Sequence, residues 1–166
     1  DNGIRIYIKE RAGSDVKELK AIVDIDVPPA VLRKIVEDVG NYMHFMPNTK
    51  ESKLIAQEGS TLITYQHLDV PLISDRDYTI AIHDESRAMP DGQVVYKKRW
   101  EPANNKGPAR KDGIVRVEVN EGHWLFVPID NGLRTQVTYY LFTDPGGSVP
   151  GFLANTANKQ TVPAIF

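Results

Sequence analysis

The side chains able to do chemistry are spread along this sequence and not grouped in short motifs. Four histidines occur, His44, His67, His83 and His123, and none stands in a His-Glu-x-x-His or similar metal-ligand spacing. No metal site and no cofactor is therefore expected. The chain has no cysteine, which excludes disulfides, thiolate nucleophiles and cysteine-bound metals. Nucleophile-elbow, phosphate-loop and dinucleotide fingerprints are missing too, so no catalytic residue is assigned. Asp144-Pro-Gly-Gly-Ser148 precedes a helix start, where an anion can sit, but a tight turn with a cap accounts for the same residues. The chemistry that remains is recognition by single polar groups. A buried hydroxyl, imidazole or ammonium without a partner costs about 1–3 kcal/mol, so polar residues at inward positions mark a paired core or a ligand contact. Tyr65 and His67 are two apart and share a strand face, as do Tyr96, Lys98 and Trp100. Tyr139 belongs to the last strand, Thr156 and Gln160 to the last helix. Tyr139 and Thr156 are the favoured contacts, while Lys98 reads better as solvent-facing. Arg76-Asp77 opens a strand and reads first as an architectural ion pair or turn clamp. Arg116 carries the same two readings, clamp or polar anchor.

The elements that must position these groups follow from hydrophobic period. Ile4, Ile6 and Ile8 alternate with Arg5, Tyr7 and Lys9, a half-buried strand, and a second strand covers 19–27. Asp26-Val-Pro-Pro opens a helix, capped by Asp26 or Val27, with apolar Leu32, Ile35, Val36 and Val39 on one stripe, ended by Gly40. Asn41 starts a short second turn that Pro47 closes. Strands are then predicted over 50–57, 61–68, 77–85, 93–102, 114–119, 122–128 and 133–143, separated by turn residues and by a long polar loop over 104–113. Ser148 caps a last helix with Val149, Phe152, Leu153, Thr156, Ala157 and Gln160 on one face, interrupted at Pro163. Short connections imply an antiparallel meander. A single long helix cannot cover both faces of such a sheet, so the sheet is expected to curve around it and leave a concavity between them. Alternation points Val137, Tyr139 and Leu141 into that concavity, with Tyr78, Ile80 and Ile82, Trp124 and Phe126, and Val115, Val117 and Val119.

The 166 residues fit one domain. Net charge is −2, whereas nucleic-acid binders carry a basic excess, so that class is disfavoured. No stretch reaches the roughly 18–20 apolar residues that cross a bilayer. The first ten residues do not resemble a signal peptide. Without an initiator Met, and stopping inside an apparent helix at Phe166, the chain reads as a trimmed or processed product, and its compartment, periplasmic, secreted or cytoplasmic, stays open.

Three segments carry a resemblance. Val70-Pro-Leu-Ile-Ser-Asp-Arg-Asp-Tyr78 resembles the proline followed by an Arg-Asp-aromatic strand start of the START (StAR-related lipid-transfer) family. Asp112-Gly-Ile-Val-Arg116 resembles that family's Gly-aromatic-Val-Arg segment, with Ile114 at the aromatic's place. Thr138 to Asn155, through Asp-Pro-Gly-Gly, resembles its last strand running into its C-terminal helix, and is the most specific of the three. The likeness spans the chain from Gly3 onward and is closer to bacterial members. It departs in lacking an N-terminal helix and in a shortened final helix. The resemblance implies an α+β helix-grip fold: a strongly curved antiparallel sheet wrapped around a C-terminal helix, with two short helices after the second strand. It also implies non-enzymatic binding of one lipid in a tunnel between sheet and helix.

The expected lining is Tyr65, His67, Tyr78, Ile80, Ile82, Tyr96, Trp100, Val117, Trp124, Phe126, Val137, Tyr139, Phe152, Leu153 and Thr156, with Arg76, Lys98 and Arg116 as possible polar anchors. The partner would be a small hydrophobic ligand, with transient membrane contact, no nucleic acid, and a monomeric chain. The loop over 104–113 is a lid or a solvated segment, and Met43, Phe45 and Met46 either close the opposite end or pack as core. Two rivals use the same scaffold. A polyketide cyclase or aromatase would show two convergent titratable groups in its pocket. A protein-binding module would show a filled interior and an exposed apolar patch.

Overall fold

The computed structural model describes residues 3–166. Two strands come first, β1 (Arg5–Lys9) and β2 (Glu18–Ile25), then helix α1 (Pro29–Glu37) and a 3-10 helix, Val39–His44. Eight further strands follow: β3 (Thr49–Glu58), β4 (Thr61–Leu68), β5 (Arg76–Asp84), β6 (Arg87–Ala88), β7 (Val94–Pro102), β8 (Val115–Arg116), β9 (Val119–Ile129) and β10 (Arg134–Asp144). Helix α2 (Gly151–Thr161) ends in a 3-10 turn, Val162–Ile165. All ten strands join one sheet in the order β1-β2-β10-β9-β7-β5-β4-β3, with β6 on β7 and β8 on β5. Every pairing is antiparallel except β5 with β8, which runs parallel.

The sheet is curved. Leu19 on β2 and Ile80 on β5 lie four strands apart, about 19 Å in a flat sheet, yet both belong to one buried cluster with Val162 at the end of α2. The helix-grip arrangement follows directly: the sheet bends around the C-terminal segment, and α1 closes the side, setting Leu32 and Val36 against Val23, Phe126 and Val137. Both helix starts differ from expectation. Pro28 and Pro150 occupy the cap positions with no side-chain cap bond, where Asp26 or Val27 and Ser148 were expected. Proline's fixed φ already suits a helix entry.

Two expected strands, 114–119 and 122–128, are instead a two-residue bridge, β8, and one long strand, β9. Asn120-Glu121-Gly122 is strand and not turn. Gly122 is there because Trp100 and the Tyr140 carbonyl crowd it, so a Cβ would collide with both; a glycine in a strand marks such close approach as readily as a break.

The chain between β7 and β8 covers the outer face of β4 and β5. The Ala103 amide donates to Thr79 O at 2.8 Å, the Asn104 carboxamide accepts from the Thr79 amide at 2.8 Å, and Ala103 packs with Ile63 and Ala81. The start of the loop over 104–113 is thus pinned to the sheet. No described helix is long and apolar enough to cross a membrane.

Candidate functional site

Residues opposite one another on paired strands share a face, so register settles which side chains point into the grip. From Tyr139 the inner face passes through Ala21 and Trp124, from Trp124 to Lys98, from Phe126 to Tyr96, and from Gly122 to Trp100. It continues through Ile82 to Leu62, through Ile80 to Thr64 and through Tyr78 to Gln66. Tyr78, Ile80, Ile82, Tyr96, Trp100, Trp124, Phe126, Val137 and Tyr139 therefore lie on the face expected of them. Trp124 is the hub: its ring centroid is 4.4 Å from Tyr139, 5.9 Å from Phe126 and 5.8 Å from Phe166, and Trp100 stands 5.7 Å from Tyr139. Val162, Ile165 and Phe166 meet this aromatic surface. The expected leftover space is occupied here by the C-terminal 3-10 segment. Two open grooves, one of about 300 Å³ beside α2 and one of about 720 Å³ between the β4–β5 loop and the segment leading into α2, are not lined by the aromatic hub.

Five expected lining residues lie elsewhere. Tyr65 and His67 pair with Thr79 and Asp77 and face the outer side, where the Tyr65 hydroxyl donates to Asp77 at 3.0 Å and His67 Nε2 meets Asp75 at 2.6 Å. β4 carries polar residues on both faces, and its outer face is roofed by the β7–β8 loop, so polarity there does not mark the inside. Phe152 and Leu153 are 69% and 49% exposed, and the exposed Thr156 hydroxyl donates to Phe152 O at 2.9 Å. The inward residues of α2 and its extension are Ala154 and Val162. The rotation is set by Asn155, whose carboxamide accepts from the Lys17 amide at 2.8 Å and donates to Asp15 O at 3.0 Å, and by Gly151, packed so tightly on Asp15 that a Cβ would clash. Val117 is buried, its amide donating to Asp77 O at 2.9 Å.

The three proposed anchors are all engaged. Lys98 does face inward and is buried, not solvent-facing, with its ammonium 2.5 Å from Glu37 on α1 and 2.8 Å from Asp84. Arg116 lies on the outer side, its Nε 2.6 Å from Asp77 Oδ1. Burial alone would push the Asp77 carboxyl up, but the Arg116 and Tyr65 hydrogen bonds outweigh it and hold the group below its usual range. Arg76 makes no pair with Asp77. Its guanidinium donates to the carbonyls of Ser74, Pro145 and Gly146, the last two at 3.2 Å.

The inner polar groups that sequence reasoning missed are Thr64, Gln66 and Asn120. The Tyr78 hydroxyl donates to Gln66 Oε1, and the Trp100 indole N–H donates to Asn120 Oδ1 at 3.0 Å. Thr64 Oγ1, fully buried on the same face, has no partner among the described residues. Strand alternation with Tyr78 as the reference would have located Gln66 and Thr64 once the β4–β5 register was known. Burial pushes the Tyr78 and Tyr139 phenols well above the ordinary tyrosine range. Among the described residues, no three histidine or carboxylate side chains converge as a metal site.

A curved sheet with an aromatic inner face, neutral hydrogen-bonding groups at one end and a helix across its mouth defines the helix-grip fold. Residues 25–165 match the family described as polyketide cyclase / dehydrase and lipid transport, and the chain belongs to it. A STAR-related lipid transfer protein from Xanthomonas axonopodis, of solved structure, superposes with a TM-score of 0.84 at 26% identity, over 99% of this chain and 92% of that one. The uncharacterized protein PA1579 of Pseudomonas aeruginosa is 33% identical over 94% of this chain and 75% of its own length. The phosphatidylcholine transfer protein of Bos taurus is 23% identical over 97% of this chain and 75% of its own. The START resemblance and the helix-grip fold are thereby established.

Proposed function

We propose that this chain acts as one monomeric domain that binds a single hydrophobic lipid, a sterol, phospholipid or fatty-acyl lipid, between sheet and α2, for transport or sensing, with transient membrane contact. The observation that carries the reading is the continuous inner face that joins the aromatic hub to the amides and hydroxyls of Gln66, Tyr78, Asn120 and Thr64. Such a surface offers an apolar chain about 25 cal/mol of stabilisation per Å² removed from water, and offers a hydroxyl or carbonyl on that chain a neutral partner. Ile165 and Phe166 pack on this face and give way to the ligand. Few side chains of α2 are buried, which makes its displacement inexpensive relative to opening the sheet.

The carrier reading is preferred over a cyclase. The amides, hydroxyls and phenols of the inner face do not ionise near neutral pH, and the inward Lys98, beside Trp124, is already ion-paired with Glu37 and Asp84, which favours a neutral binding surface over free acid–base groups. Both tryptophans of the chain lie on the inner face. Uptake of a nitroxide- or bromine-labelled lipid therefore quenches their fluorescence, and native mass spectrometry shows a 1:1 adduct. If sterols, phospholipids and fatty acids all leave the fluorescence unquenched and no adduct forms, the proposal fails.

A further inference from the structure

The polar groups at the end of the inner face are joined in one direction. An indole N–H can only donate, and that of Trp100 takes Asn120 Oδ1 at 3.0 Å. Asn120 is left with its N–H groups, and these reach the Tyr78 phenol: burial pushes that phenol up, and a hydrogen bond from Asn120 works against it. A phenol oxygen that accepts from Asn120 turns its own O–H elsewhere, and here it donates to Gln66 Oε1. Each bond is oriented by the one before it, back to a nitrogen that cannot accept. Trp100, Asn120 and Gln66 are all buried, so water does not readily scramble the order.

The chain of bonds ends on Gln66 Nε2. With its oxygen taken, this amide has only N–H groups to offer, and they meet no acceptor among the described residues. Two residues earlier on the same strand face, about 7 Å away along the backbone, the Thr64 hydroxyl is fully buried and also without a partner among the described residues. A carbonyl oxygen has two lone pairs and satisfies both, accepting one N–H from Gln66 and the O–H of Thr64. A lipid hydroxyl accepts from Gln66 but brings a proton of its own. If it gives that proton to Thr64, the Thr64 proton is stranded, an unmade bond in a buried place. A phosphate or carboxylate needs a counter-charge, and the inward Lys98 is already held by Glu37 and Asp84.

We propose that Trp100, acting through Asn120 and Tyr78, sets Gln66 and Thr64 as hydrogen-bond donors and so makes this end of the face selective for a lipid with a ketone or ester carbonyl over the matching alcohol. The selectivity rests on the carrier reading, since it belongs to the same face. The probes are cholestanone and cholestanol, which differ only in a keto or a hydroxyl oxygen, and a long-chain ketone with its secondary alcohol. Each is titrated into the protein loaded with a bromine-labelled lipid, and recovery of tryptophan fluorescence reads displacement. In the pair that fits, the ketone should bind about three- to tenfold more tightly, the worth of one hydrogen bond. Gln66→Met, similar in length but without the amide, should bind ketone and alcohol alike. Asn120→Asp carries a carboxylate that only accepts, and it draws the Tyr78 O–H to itself. Gln66 then donates to Tyr78 and turns its oxygen to the ligand, so at alkaline pH, with the carboxyl ionised, this variant should prefer the alcohol. If one variant fails to fold, the other decides; if both fail, the wild-type comparison does. The proposal is overturned if wild type binds each alcohol as tightly as its ketone. It is also overturned if the ketone preference persists in Gln66→Met or in ionised Asn120→Asp, which would trace it to the poorer hydration of ketones. Equal binding of ketone and alcohol leaves the carrier reading standing. Absence of quenching by any labelled lipid ends that reading and the selectivity with it.

Discussion

Trp100 on β7 lies directly over Gly122 on β9, so closely that the glycine's missing side chain is the space the indole occupies. The same indole donates to Asn120 two residues earlier. One tryptophan thus fixes both the packing and the polar end of the inner face. Gly122→Ala places a methyl group against the Tyr140 carbonyl as well as the indole. Overpacking of this kind costs about 1–3 kcal/mol, and the backbone contact puts the expected loss at the upper end. Urea unfolding should show the lower midpoint, with a shift in tryptophan emission in the folded variant. An unchanged midpoint would mean that Trp100 swings away freely, and that the inner face is looser than its packing indicates.

Asp77 and Arg116 form a second fixed relationship, on the outer side. With Tyr65 and Arg116 both bonded to it, Asp77→Asn leaves a buried guanidinium without its counter-charge, a change that costs about 3–5 kcal/mol. The carboxyl's folded pKa is depressed. Its contribution to stability is therefore present above the unfolded value of about 3.9 and is lost as pH falls through the lower folded value. Wild-type stability should drop as pH falls through and below about 4, and Asp77→Asn should be less stable throughout with a flatter profile there. Parallel profiles for the two chains would show that this pair does not set acid stability.

Four tyrosines, Tyr42, Tyr65, Tyr78 and Tyr139, are pushed upward chiefly by burial. A raised folded pKa means that the stabilisation is complete below the unfolded value of about 10 and is lost as pH rises towards the folded one. Phenolate absorbance at 295 nm from these four should therefore emerge together with loss of far-UV ellipticity in strong alkali. Ionisation of the two inner ones, Tyr78 and Tyr139, in a protein that keeps its native ellipticity would show that water reaches the inner face.

Period-two alternation was enough to place the aromatic hub, because Trp124, Phe126, Val137 and Tyr139 alternate with polar or half-buried neighbours on strands whose other face is solvated. The same rule misplaced Tyr65 and His67, since β4 is covered on both sides and its outer polar residues pair with Asp75 and Asp77. Which face is inner there depends on register with β5, a long-range fact that no local period contains. The turn of α2 was likewise invisible: Phe152, Leu153 and Thr156 are spaced as a helical face, but Asn155 and Gly151 dock the helix on Asp15 and Lys17, residues some 140 positions away in the chain. Lys98 was misread because its partners sit on α1 and at the end of β5.

Thr64 offers the sharpest test of the interior. Its hydroxyl is fully buried without a partner among the described residues, so Thr64→Val exchanges an unsatisfied polar atom for a methyl group of nearly the same shape. In the empty protein that removes a desolvation penalty of about 1–3 kcal/mol, and the melting temperature should rise. If a bound lipid presents a hydroxyl or carbonyl to this end of the face, the same substitution deletes one neutral hydrogen bond and should weaken binding by about three- to tenfold, on the order of 1 kcal/mol. Lipids without such a group should bind as before. The two effects are opposite in sign for one substitution, which separates a ligand contact from a packing defect: a variant that is more stable yet binds every lipid class as wild type does would remove Thr64, and the neutral end it belongs to, from the binding site.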